Sequence, residues 1–81
     1  MTIYNYNGKS NISGSRIRKA RKKEGLSQSQ LAAKLQLASV IVEQKVISRI
    51  ELGERFIADY ELLEISKILK VSVNWLLTGK D

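Results

Sequence analysis

Between Glu43 and Gly53 the chain reads EQKVISRIELG, and the polar residues Gln44, Lys45, Ser48 and Arg49 fall together if the segment is a helix. At about 100° per residue they turn to one side while Ile47 and Ile50 turn to the other. An amide, two cations and a hydroxyl in a row form a surface of hydrogen-bond donors. Glutamine pairs well with adenine N6 and N7, and arginine or lysine donates to guanine O6 and N7. The bland alternative is an ordinary solvated helix face, which composition alone does not exclude.

The elements that would position this row lie on both sides of it. LSQSQLAAKLQL, from Leu26, reads as a preceding helix that Ser27 can cap and whose apolar stripe is Leu31, Ala32 and Leu35. Gly53 is suited to the left-handed end of the donor-bearing helix. Two short helices joined by a loop suggest a helix-turn-helix, in which the second helix enters the DNA major groove. LSQSQLA, then ISRIELG, then KVSVNWLLTGK resemble, in that order, blocks of the lambda repressor and Cro-like (XRE-type) helix-turn-helix regulators. The resemblance extends from roughly Ile17 to Lys80. It implies an all-α, compact five-helix DNA-binding domain over residues 14–81, preceded by a flexible N-terminal arm over residues 1–13.

Several roles come from the resemblance alone. It implies base reading by Gln44, Lys45 and Arg49, beside which the Ser48 hydroxyl is suited to add a bond to base or phosphate. It implies phosphate contact by Gln28, which also braces the recognition helix, and by Arg55. It pairs Arg21 with Glu51 as a structural salt bridge tying the first helix to the end of the recognition helix. C-terminal segments in the family commonly build twofold dimers, so Trp75, Leu76 and Leu77 are open to dimer contact as well as to core packing.

The sequence departs from the family in one place. About five extra residues fall within Gln36 to Val42, where a tight turn is usual. Leu37, Ala38, Val40, Ile41 and Val42 are too apolar for a solvent loop. The second helix is therefore expected to run to about Leu37 and the remainder to fold back on the core as an extended loop; a partner-binding patch is the other reading.

Charge supports a polyanionic ligand. The net charge is +6, but residues 1–49 hold ten Lys or Arg against two Glu, whereas residues 50–81 hold four against six acids. RIRKARKKE, from Arg16, predicts a first helix over about Ser15 to Glu24, capped by Ser13 or Ser15. Ile17 and Ala20 turn inward, and Arg18, Lys19, Lys22 and Lys23 form an outer face suited to phosphates or simply to solvent. Within the arm, Ile3, Tyr4 and Tyr6 are the apolar exceptions.

Toward the C-terminus, Asp59 to Lys70 predicts a fourth helix with Leu62, Leu63, Ile65, Ser66 and Leu69 facing the core and Glu61 and Glu64 solvated. Ser72 is suited to cap a last helix, VNWLL, closed by Gly79.

Other classes fit poorly. The chain has neither cysteine nor histidine, no phosphate-loop glycine pattern and no recognisable nucleophile spacing, so an enzyme, a metal site or a cofactor is not expected. No apolar run approaches a membrane span, and the N-terminal residues lack the order of a secretion signal, which favours a cytoplasmic protein with no membrane partner. The expected partners are double-stranded DNA, a second copy in a homodimer that represses from an inverted-repeat operator, and a regulatory protein. The rival reading is an interaction module of the same fold, such as an antitoxin or an antirepressor-binding partner.

Overall fold

A computed structural model describes residues 5–81, so Ile3 and Tyr4 lie outside the described residues. Five helices follow one another: α1 Gly14–Lys23, α2 Gln28–Leu37, α3 Gln44–Glu51, α4 Asp59–Leu69 and α5 Val73–Thr78. Among the described residues there is no strand, only an isolated bridge between Tyr6 and Lys9. The architecture is the all-α five-helix domain that the resemblance implies.

Local chemistry sets most of the helix ends. The Ser27 hydroxyl accepts from the Gln30 N–H at 3.0 Å and the Gln30 side chain accepts from the Ser27 N–H at 2.7 Å, a reciprocal cap that starts α2. The Ser72 hydroxyl does the same for Trp75 at 2.9 Å, and Gly79, with φ of 77°, closes α5. Ala58, which precedes α4, has no side-chain acceptor, and the Glu61 carboxylate reaches back to its N–H at 2.9 Å.

That contact corrects the expectation of a solvated Glu61. Its side chain is buried and pairs with Arg55 at 2.6 Å, so the charge leaves water with a partner. Leu63, expected in the core stripe, is 46% exposed, and the buried side of α4 is narrower, with Leu62, Ile65, Ser66 and Leu69.

The start of α1 differs more. Neither Ser13 nor Ser15 provides the cap; Asn11 Oδ1 accepts from the N–H groups of Ser13 at 3.1 Å and Gly14 at 2.8 Å. The Asn11 amide then donates to the carbonyls of Ile50 at 3.0 Å and Arg55 at 2.8 Å. The Ser10 N–H donates to the Gly53 carbonyl. The expected flexible arm is thus corrected from Ser10 onward, because these residues satisfy carbonyls at the C-terminal end of α3. α1 approaches that end closely: a Cβ on Gly14 would collide with the Ile50 carbonyl oxygen.

α1 packs on α3 and α4, α2 on α3 and α4, and α5 on α4. Ile17, Leu31, Leu35, Ile47, Ile50, Ile65, Leu69 and Leu76 are fully buried where these helices meet. Leu76 therefore belongs to the core and is not available to a dimer partner, which corrects that expectation.

The connection between α2 and α3 runs from Ala38 to Glu43. Ser39 takes a left-handed φ of 64°, its N–H donates to the Gln36 carbonyl, and the Val40 N–H donates to the Leu35 carbonyl. This paired closure normally favours glycine at the left-handed position. Val40 and Val42 beyond it are buried, but Leu37 before it and Ile41 between the valines are 88% and 74% exposed, which corrects the expectation that the apolar residues here all leave solvent: successive side chains of an extended segment face opposite ways.

Candidate nucleic-acid interface

The helix α3 has two unlike sides. Ile47, Ile50 and Glu51 are buried, and Val46 packs partly against the core. Gln44, Lys45 and Arg49 are exposed and Ser48 is half-buried. Val46 thus belongs mainly to packing.

A chain of polar contacts fixes this helix against its neighbours. Arg21 Nε donates to Glu51 Oε2 at 2.6 Å and Nη2 to Oε1 at 2.9 Å, a two-pronged pair buried between α1 and α3. Arg21 Nη1 also donates to the Leu26 carbonyl at 2.8 Å. The hydrogen bonds that Arg21 donates to Glu51 hold the guanidinium above the ordinary arginine range, against the opposing effect of burial. Glu51 Oε1 further accepts from Gln28 Nε2 at 3.1 Å, and Gln28 Oε1 accepts from Gln44 Nε2 at 2.7 Å. Gln44 is thereby oriented from within. Its carbonyl oxygen and second amide hydrogen stay available, which is the pair of groups an adenine edge requires.

Beside this network a groove of about 690 Å³ opens between α1 and α3. Ser15, Arg18, Lys19 and Lys22 line one wall, and Gln28 and Ser48 stand opposite. Among the described residues none of these three cations takes part in an ion pair. Gln28 both lines this groove and belongs to the chain that holds Gln44, so the cationic groove adjoins the head of α3.

Two cations expected with this group lie apart. Lys23 shares a separate groove with Lys19, Lys70 and Trp75 on the far flank of α1. Arg55 Nη1 donates to Glu61 and to the Phe56 carbonyl, and its guanidinium lies 5.1 Å from the Phe56 ring centre. The neutralised Arg55 is a brace for the loop after α3. Trp75 is half-buried, and Leu77, 39% exposed, lines a shallow apolar groove with Ile12, Phe56 and Ile57.

Asn11 and Ile12 had no distinguishing signal in the sequence. The partners of Asn11 are backbone carbonyls some forty residues away, which no spacing pattern marks. For Glu61, its place at the third position of a helix beginning near Asp59 was a usable sign of a cap. Among the described residues no group of acidic side chains is clustered to hold a metal ion, and no helix is long and apolar enough to cross a membrane.

The profile of the helix-turn-helix domain family matches residues 14–81. No curated protein sequence matches the chain significantly. Among solved structures, the P22 c2 repressor protein in complex with a synthetic operator is similar at a TM-score of 0.74 and 33% identity, over 86% of this chain and 98% of that one. SinR, a master regulator for biofilm formation solved in complex with DNA, gives 0.69 and 35%, over 80% and 97%. The restriction-modification controller protein C.AhdI from Aeromonas hydrophila gives 0.68 and 25%, over 79% and 86%. With the polar network, the cationic groove and the five-helix order in place, the chain belongs to the lambda repressor and Cro-like helix-turn-helix family of DNA-binding transcription regulators.

Proposed function

We propose that this chain is a sequence-specific repressor that binds an inverted-repeat operator as a homodimer, each copy placing α3 in a major groove. One observation carries the reading: Gln28 both holds Gln44 at the head of α3 and lines the groove of Arg18, Lys19 and Lys22. The reading row and the phosphate-binding row are thereby coupled through a single side chain. Gln44 reads adenine, Lys45 and Arg49 read guanine, and Ser48 adds a bond to base or phosphate. Arg18, Lys19 and Lys22 supply most of the affinity by releasing counterions, with Gln28 contacting the same backbone. Lys23 and Arg55 have minor parts, since one lies on the far flank and the other is paired with Glu61.

The homodimer reading rests on the apolar groove of Ile12, Phe56, Ile57 and Leu77, in which Ile12, Phe56 and Leu77 are exposed. The half-sites of such a dimer are expected about 34 Å apart, one turn of DNA. That the P22 c2 repressor and SinR are solved with DNA supports the same class of ligand. A protein-interaction module, such as an antitoxin or antirepressor-binding partner, is the second reading, favoured by the 88% exposure of Leu37.

The test is selection of duplexes from a random DNA pool with the full chain at near-physiological salt. An inverted repeat with half-sites one turn apart is the expected product. Folded protein that recovers no motif moves the chain to the interaction module.

A further inference from the structure

The extra residues between α2 and α3 place an apolar side chain beside the reading row. Val40 and Val42 point into the core, and Ile41 between them is 74% exposed. This exposed isoleucine stands in a groove with Ser29 and Ala33 of α2 and Gln44, the first residue of α3. Ser29 follows Gln28 in the chain, and Gln28 bonds Gln44 directly. The groove that holds Ile41 therefore opens at the two helix starts that carry the polar contacts, whereas Leu37 lies outside its lining.

We infer that Ile41 is a specificity-determining residue that packs against the 5-methyl group of a thymine next to the base read by Gln44. The inference rests on the proposed placement of α3 in the major groove. In that groove the thymine methyl is the one apolar feature of the base-pair edges, and an aliphatic side chain recognises it by excluding water. Ile41 is suited to this because its backbone is fixed from both sides. Its β-branched side chain has few rotamers to lose, so contact carries a small ordering cost. The Ser39 closure and the buried valines fix the position of the segment, and the residue needs no rearrangement to present its methyl groups.

The chemistry gives a clean probe, since deoxyuridine keeps every hydrogen-bonding group of thymidine and lacks only the methyl. With the operator recovered from the selection, each thymine is replaced singly by deoxyuridine and affinity is measured for wild-type, Ile41→Ala and Leu37→Ala proteins. Wild type is expected to lose about fourfold at one thymine adjoining the Gln44 contact, the effect of one buried methyl-sized group. Ile41→Ala is expected to bind the thymine operator about that much more weakly and to be indifferent to the replacement. Leu37→Ala should keep the wild-type ratio. Because Ile41 is exposed, the variant keeps its fold, and an unchanged melting temperature verifies that.

An equal thymine-to-deoxyuridine ratio in wild-type and Ile41→Ala proteins overturns the inference while leaving the reading of α3 intact. Ile41→Ala with undiminished affinity for every duplex also overturns it and assigns the side chain to a protein interface. If wild-type protein selects no motif, the underlying placement of α3 fails and the inference falls with it.

Discussion

Glu51→Gln should be among the most damaging single-atom changes available in this protein. The substitution keeps the shape of the side chain and exchanges an acceptor oxygen for an amide donor. Glu51 uses both oxygens, one for Arg21 Nε and the other for Arg21 Nη2 and Gln28 Nε2. Whichever way the new amide is turned, an N–H faces an N–H, and the Arg21 charge remains buried without its counterion. Removing one partner of a buried pair costs about 3–5 kcal/mol, several times the ~1 kcal/mol of an exposed pair. A domain of this length has a total stability of about 4–12 kcal/mol, so the loss is a large share of it. The corresponding fall in melting temperature is about 12–40 °C, given roughly 4–8 °C per kcal/mol for small domains. Thermal unfolding followed by circular dichroism at 222 nm measures it. Replacing both partners by apolar residues of similar size, Arg21→Met with Glu51→Leu, should recover most of the loss, since no charge is then stranded. A fall of under about 3 °C for Glu51→Gln, against the roughly 4–8 °C expected per kcal/mol, or a double variant no better than the single one, would refute the argument.

Other variants address the remaining joints. Gly14→Ala forces α1 away from the Ile50 carbonyl and should destabilise the fold by about 1–3 kcal/mol, seen as a lower urea midpoint; an unchanged midpoint would mean that the helices separate freely. Ser39→Gly relieves a left-handed backbone and should raise stability by about 0.5–1 kcal/mol in the same assay. On DNA, Arg49→Ala should cost about 1–3 kcal/mol on the selected operator and relax preference at one base position. Lys22→Ala should weaken binding to all sequences alike and reduce the salt dependence by about one unit of slope. Equal losses on operator and random DNA for Arg49→Ala would remove it from reading.

Local patterns made the helices legible because the responsible residues are neighbours in sequence. Ser27 with Gln30, Ser72 with Trp75, and Gly53 and Gly79 at helix ends each act within a few positions. The α2–α3 connection was legible only in part: Val40 and Val42 are buried, but Leu37, Ala38 and Ile41, equally counted as too apolar for solvent, are exposed. What could not be read was any feature whose cause lies far along the chain. Asn11 looks like part of a polar, loose arm, and only the meeting of α1 with the end of α3 gives its amide two carbonyls to satisfy. Arg55 looks like a free cation until the turn after α3 brings Glu61 beneath it. Leu76 and Leu77 are adjacent and chemically identical, yet the roll of α5 buries one and exposes the other, which a six-residue helix with little periodicity does not reveal. The bond from Gln44 to Gln28 likewise depends on how α2 and α3 cross, across a connection of unusual length.

The alternation at Val40, Ile41 and Val42 also bears on how such a regulator could change its target. The two valines hold the segment in place, and the side chain between them contributes little to folding because it stands in water. Substitutions at position 41 are therefore close to neutral for stability, about 0.5 kcal/mol or less, as at other exposed sites. Most residues near a recognition surface serve both fold and ligand, and a change in one function disturbs the other. Here the two are separated within three consecutive positions, so the connection can diverge in its contacts while the domain that carries it stays the same.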